Sequence, residues 1–322
     1  MMAGLRKYLR WHLGIVAVLC FSLAGSAVGA KYAGESFTLG AGARALALGG
    51  AYTALADDAT SIYYNPAGLS RPAARQCLLL HSETFGSLVN HDFVAVSLPT
   101  RMSGRPGGLG LGIYRVGGGG IKLTEWDADL GRPVVIEEVG HYDYLVLAGG
   151  GMELSQKLRL GAAARIIVRS LGNESGYGLG IDLGLQYQPW QPFGLGLTVH
   201  NASSSFISYD NGAQESILPA VRVGAGYLLR LAQFTLRSTA ETELLFEGRR
   251  YAAQVWLNDI SADFRYGAEL GYHEVIFFRA GSDIGKLAIG VGLRFDRFAL
   301  DGAFLDHPDL DNSYRLSLGI NF

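Results

Sequence analysis

Tyr177-Gly178-Leu179-Gly180-Ile181-Asp182-Leu183-Gly184-Leu185-Gln186-Tyr187-Gln188 is the stretch that decides the fold. Every odd position is apolar and every even position is Gly, Asp or Gln. At helical spacing the apolar residues would scatter around the whole circumference, whereas at a period of two they form one face of a strand. Lys286–Phe295 repeats the pattern, with Leu287, Ile289, Val291, Leu293 and Phe295 opposite Ala288, Gly290, Gly292 and Arg294. Phe264–Tyr272 repeats it again, setting Phe264, Tyr266, Ala268, Leu270 and Tyr272 against Arg265, Gly267, Glu269 and Gly271.

Working outward, the alternation predicts strands at 75–85, 89–99, 107–116, 142–154, 158–170, 175–188, 193–201, 218–230, 234–246, 264–272, 275–282, 286–295, 298–304 and 313–322. Tyr251–Asp259 is a further candidate strand. Most are about ten residues long, enough to cross a hydrocarbon layer when tilted. Connections leaving even-numbered strands are short, as in Ser155-Gln156-Lys157, His273-Glu274 and Asp296-Arg297. The longest, 117–141, 202–217 and 247–263, leave odd-numbered strands. Outer-membrane barrels have this asymmetry, with short periplasmic turns and longer outer loops, and an even strand count. The expected fold is therefore all-β: a transmembrane outer-membrane β-barrel of about 14 antiparallel strands. A soluble β-sandwich would also alternate, but its outward faces would carry many Lys, Thr and Glu. Here the polar phase is dominated by Gly and Arg.

Both ends of the chain fit export. Arg6, Lys7 and Arg10 precede an uncharged, mostly apolar run from Leu13 to Ala30 that ends in Val28-Gly29-Ala30. That is the order of a secretory signal peptide, expected over residues 1–30. Leu19 before Cys20 does not suit a lipoprotein signal. An uncleaved anchor is disfavoured by the run's shortness and by Gly14, Gly25 and Ser26. At the other end Tyr314, Leu316, Leu318, Ile320 and Phe322 alternate to an aromatic last residue. This resembles the C-terminal signature recognised by the barrel-assembly machinery, so Tyr314 and Phe322 are candidate assembly-signal residues. Outer-membrane lipid and that machinery are the expected partners.

The chain's 322 residues include 45 Gly, and only 17% are charged, which suits a sheet protein exposing apolar surface to something other than water. Losing three basic residues of 27 with the signal leaves 24 against 29 acids, formally −5. No basic excess attracts nucleic acid. Only Cys77 would remain, so no internal disulfide forms.

If the apolar phase meets lipid, the other phase lines the interior. It contains Arg159, Arg165, Arg169, Asp182, Arg222, Arg237, Glu241, Glu243, Arg265, Glu269, Arg279, Arg294, Asp301 and Arg315. Charges facing lipid near the midplane would cost about 2–4 kcal/mol each, so they must point inward. Mixed signs suggest an ion-pair network that braces the wall or holds a plug, with solute selection as the rarer use. The Gly residues of that phase either open a water-filled path or let a polypeptide plug approach the wall. Residues 31–74 are the candidate plug, leaving 75–322 as the barrel. Gly40–Leu69 is rich in Ala, which favours short helical turns. Asp57 or Asp58 can cap a turn through Ala59–Tyr63 that Asn65-Pro66 then breaks. The same acids could instead meet lumen arginines such as Arg165, Arg237 or Arg279. Residues 40–69 are expected in the lumen on its periplasmic side.

Gly42-Ala43-Arg44-Ala45-Leu46, Gly49-Gly50-Ala51, Ala56-Asp57-Asp58-Ala59 and Asn65-Pro66-Ala67-Gly68-Leu69 resemble the N-terminal signature of the PorV/PorQ family, within the wider FadL-like barrel group. Tyr187-Gln188-Pro189, Gly196 with Asn201, Gly267-Ala268-Glu269 and Arg279-Ala280-Gly281 look like its barrel motifs. The resemblance implies a fourteen-stranded barrel with its N-terminal segment in the lumen. It implies a secretion component of type IX kind or a surface-assembly component, with secreted cargo or secretion-system subunits as partners. The alternative is a FadL-like passive channel for hydrophobic small molecules.

No enzyme chemistry, cofactor or metal is expected. The seven histidines show no ligand spacing, the Gly pairs lack a dinucleotide fingerprint, and no Walker-type sequence occurs. Asp306–Asn312 offers oxygen ligands but matches no calcium-loop pattern, and reads as a solvated acidic turn.

Overall fold

The computed structural model describes residues 32–86, 88–172, 174–308 and 311–322; the expected signal peptide lies outside the described residues. The first half of the wall comprises β1 (Gln76–Thr84), β2 (Val89–Met102), β3 (Arg105–Asp127), β4 (Arg132–Ser155), β5 (Leu158–Leu171), β6 (Glu174–Trp190) and β7 (Phe193–His200). An accessory hairpin follows, β8 (Ser205–Tyr209) with β9 (Gln214–Ile217). The second half comprises β10 (Ala220–Leu231), β11 (Phe234–Leu245), the three-residue β12 (Val255–Leu257), β13 (Ile260–Tyr272), β14 (Ile276–Asp283), β15 (Lys286–Phe295), β16 (Phe298–Leu305) and β17 (Ser313–Asn321).

Neighbours pair antiparallel throughout, β7 pairs with β10, β11 pairs with β13, and β1 pairs with both β2 and β17. Setting aside β8, β9 and β12, this is a closed barrel of 14 strands. Closure leaves no wall edge unpaired, which a sheet in hydrocarbon requires. The sequence pattern accounts for the orientation of side chains: Tyr177, Leu179, Ile181 and Leu183 are exposed outward, while Asp182 between them is fully buried. Trp190 stacks on Phe193 at one short turn, and Phe234 and Tyr272 approach at 5.2 Å beside another. These rings form part of an aromatic girdle at the short-turn end, which faces the periplasm in barrels of this class.

Two long connections differ from the expectation of plain loops, and a third holds a short strand within the candidate Tyr251–Asp259. Residues 117–141 continue β3 and β4 as a two-stranded ribbon to Asp127 and Arg132. Beyond Gly118 no burial imposes alternation, and side chains on both faces are exposed, so the period-two signal fades although cross-strand pairing persists. The 202–217 connection contains β8 and β9, and 247–263 contains β12 and the start of β13.

Candidate functional site

The site is the lumen, and the N-terminal segment occupies it. Two short α-helices, Ala43–Ala47 and Ser61–Tyr64, and 3₁₀ turns at Glu35–Phe37 and Pro66–Ser70 make up its regular structure. Helices of one turn cannot stand alone in water. The wall holds them, and side-chain hydrogen bonds shape the turns between them. Asp58 accepts from the Thr60 amide at 2.9 Å. Asn65, with extended backbone, accepts from the Ala67 amide and places Pro66 at the first position of the next turn, where its missing N–H costs nothing.

Asn65 also reaches the wall. Its amide nitrogen donates to Thr53 O at 3.0 Å and to Leu185 O of β6 at 3.1 Å. Thr53 N–H donates to Glu241 at 2.8 Å, Gln186 donates to Ala56 O, and Thr198 to Tyr64 O. Across the barrel, Ala43 N–H donates to Ser317 and Arg315 to Leu39 O. The segment thus bonds to strands on opposite sides of a closed ring, which places it inside. Lumen glycines permit the approach. A Cβ at Gly161 would lie 2.2 Å from the Pro66 carbonyl carbon, and one at Gly151 2.4 Å from Pro66 O. At Gly108 it would lie 1.9 Å from Leu69 O, and at Gly267 2.5 Å from Leu48 O. The space that these glycines leave is filled by chain.

Charges complete the attachment. Arg44 bonds Asp57 at 2.7 Å and Glu269 at 3.1 Å, and Tyr52 donates to Asp58. Glu269 is shared with Arg237 at 2.8 Å and Arg279 at 2.5 Å, and Arg279 continues to Asp301. Elsewhere Arg222 and Arg265 both bond Glu243 at 2.8 Å, while Arg165 bonds Asp182 at 2.6 Å. Burial alone would raise the Asp57 carboxyl; Arg44, then Arg71, outweigh it and hold it below the ordinary carboxylate range.

The expected pairing of Asp57 and Asp58 with Arg165, Arg237 or Arg279 is therefore corrected. Arg44 of the segment itself takes both acids, at 2.7 and 3.6 Å, because wall acids already occupy those arginines. Asn65, Pro66, Arg237, Glu241, Glu269 and Arg279 lie at the segment–wall contact. Arg165 and Glu243 brace the wall higher up. Arg169, joined to Asp143 and Glu215, donates to Ala33 O at 2.8 Å near the outer end. Tyr314 and Phe322 are exposed and apart from this site, and the Phe322 amide donates to Arg75 O. Arg44 and Tyr52 were not singled out by the sequence. A lone Arg in an Ala/Gly helix was the available signal, since a charge on so small a surface needs an acid.

Residues 32–39 run towards the outer end, where Arg249 pairs with Glu35 and lies over the Tyr32 ring at 5.2 Å. Residues 41–70 fill the middle and periplasmic part. Two cavities flank the segment. The outer one, about 60 Å³, is lined by Phe37, Tyr63, Ile217, Leu245, Arg222 and Arg249 among others. The periplasmic one, about 70 Å³, is lined by Leu55, Asp57, Arg71, Arg159 and Arg237 among others. They share no lining residue, and the buried aromatic cluster of Tyr52, Tyr63, Tyr64, Phe93 and Tyr114 belongs to the core between them.

No family model matches the chain, and no curated protein does. Solved structures do. The P. putida toluene transporter TodX superposes with a TM-score of 0.58 at 12% identity, covering 88% of this chain and 99% of that one. The CymD monoaromatic hydrocarbon channel gives 0.58 at 14%, over 88% and 98%. A Pseudomonas aeruginosa FadL homologue gives 0.51 at 12%, over 85% and 96%. The fold is that of the FadL-type outer-membrane barrels. These likenesses extend over nearly the whole length of each FadL-type chain. They reach the barrel and not the finer PorV/PorQ resemblance, which rests on the sequence motifs.

Proposed function

We propose that this chain is an outer-membrane channel for small hydrophobic molecules, with residues 31–74 as its hatch. The reading is supported by a FadL-type barrel fold whose N-terminal segment is hydrogen-bonded to β6, β7 and β17, with a separate cavity on either side of it. The outer cavity meets the aromatic core through Phe37 and Tyr63 and has Ile217, Leu218 and Leu245 beside them, a partial apolar wall for a hydrophobic solute, while Arg165, Arg222, Glu243, Glu247 and Arg249 supply its charged part. Passage then requires the hatch to shift. The ion pair between Arg44 and Glu269 of the wall holds it closed without making the contact wholly apolar, so a shifted segment can be resolvated.

The test is uptake of radiolabelled toluene by cells that lack their own hydrocarbon channels. Cells displaying the folded barrel should take it up faster than cells with empty vector; equal rates at matched surface level would refute the channel. Export belongs to the same proposal: the purified protein should begin close to Lys31, and an intact Met1 would count against the signal peptide. The other reading, a secretion or surface-assembly component, draws support from the PorV/PorQ-like motifs. It predicts a secretion defect on deletion with unchanged toluene uptake.

A further inference from the structure

The ribbon formed by the outer parts of β3 and β4 has no part in closing the lumen. β2 follows β3 only as far as Asn90 opposite Gly117, and β5 follows β4 only to Leu171 opposite His141. From Gly119 to Glu138 the two strands pair, among the described residues, only with each other. About ten residues per strand project roughly 30 Å beyond the wall. Trp126, Leu130, Val135 and Ile136 are more than half exposed, so neither face packs on a core. A two-stranded ribbon without a third strand or a covering layer is marginally stable in water.

Its two edges differ. The β4 edge carries Pro133, which cannot donate to a new ladder, and a register shift that leaves Ile136 without an opposite residue. The β3 edge reads Ile121-Lys122-Leu123-Thr124-Glu125-Trp126, with no Pro, and the β3 bulge at Gly119-Gly120 lies before it, leaving these six residues in unbroken strand on their own side. That edge can accept another strand. Charge says which kind. Lys122 lies opposite Glu138 and Arg132 opposite Asp127, so both cations have an acid across the ladder. Glu125, Asp129 and Glu137 have none there, and residues 117–141 hold five acids against two Lys or Arg. Glu125 and Glu137 fall on the same face as Ile121 and Leu123 by register. A second copy would bring the same acids edge to edge, which like-charge repulsion opposes.

We propose that the Ile121–Trp126 edge is a docking site outside the cell for a basic polypeptide, added as a third antiparallel or parallel strand. Backbone hydrogen bonds supply its attachment, and apolar residues alternating with Lys or Arg match the Ile121–Leu123–Glu125 face. The proposal stands apart from the hydrocarbon channel, because the ribbon touches neither cavity.

The experiment places a photo-crosslinking amino acid at Thr124 in the full chain, in its native cells, and identifies the adduct by mass spectrometry. The expected product is a polypeptide joined through a segment of net positive charge. Its yield should fall at least tenfold when E125K and E137K are combined, while toluene uptake stays unchanged. An adduct with lipopolysaccharide, with a second copy, or with an acidic or neutral segment overturns the proposal, as does no adduct. A barrel with 121–138 replaced by a short turn, checked for folding by its heat-modifiable migration, must lose in vitro binding of a peptide of alternating Lys and Val. Retained binding overturns it too.

Discussion

Gly161→Ala is the smallest change that should unseat the hatch. The added methyl would lie 2.2 Å from the Pro66 carbonyl carbon and 2.3 Å from the Ala67 nitrogen, both backbone atoms that cannot rotate away. Ordinary contact needs more than 3.4 Å, so the Pro66–Ala67 turn has to retreat by over an ångström. Overpacking of this kind costs about 1–3 kcal/mol. Withdrawal also strains the Asn65 bond to Leu185 O, worth about 0.5–1.5 kcal/mol net. Taken against the closed state alone, 1–3 kcal/mol multiplies the open-to-closed ratio by about 5–150. The assay is single-channel conductance in planar bilayers, with heat-modifiable migration reporting an intact barrel. Gly194→Ala is the matched control, because its Cβ would meet nothing within 4 Å. Unchanged open probability in a folded Gly161→Ala barrel, or the same increase in Gly194→Ala, would refute the reasoning.

Arg44→Ala should cost the segment about 1–3 kcal/mol, less than the 3–5 of a fully buried pair because Asp57 still reaches solvent and Glu269 keeps Arg237 and Arg279. Hydrogen exchange should quicken at residues 43–57 and not in the strands; unaltered protection would count against the ion pairs as a latch. Leu183→Arg puts a charge on the lipid face near mid-wall and should destabilise the folded barrel by about 2–4 kcal/mol in vesicle denaturation, with no change expected in detergent extract composition. Deleting Phe322, which is 57% exposed, should remove less than the 1.5–3 kcal/mol of a buried side chain. It should nevertheless slow insertion and leave protease-sensitive chain; a normal insertion rate would remove Phe322 from the assembly signal.

The barrel was legible because hydrocarbon outside and polar groups inside force alternation residue by residue, as Tyr177–Gln188 records. The rule fails where that asymmetry ends. Ile121–Trp126 and its partner strand pair in water with both faces wet, so nothing in Gly117–His141 announced a ribbon. The lumen was half legible. Arg165, Glu243, Glu269 and Arg279 had to face inward, but sequence does not say which acid each arginine meets. Glu269 takes three arginines because register sets Arg237 and Arg279 directly across from it on β11 and β14, and the Ala43–Ala47 helix delivers the third. The lumen glycines were open to two readings in sequence, a water path or a seat for chain. Contacts such as Gly151 with Pro66 O distinguish them only once the segment is in place.

The most direct test of a moving hatch is to tie it to the wall and watch transport. A Cβ at Gly290 would lie 2.5 Å from the Ala47 Cβ, about 1 Å inside the usual Cβ separation of a disulfide, so a small shift accommodates Ala47→Cys with Gly290→Cys in a Cys77→Ser background. Toluene uptake by cells carrying the oxidised pair should fall to the empty-vector rate and return on reduction. Uptake at the wild-type rate with the disulfide fully formed would contradict the account.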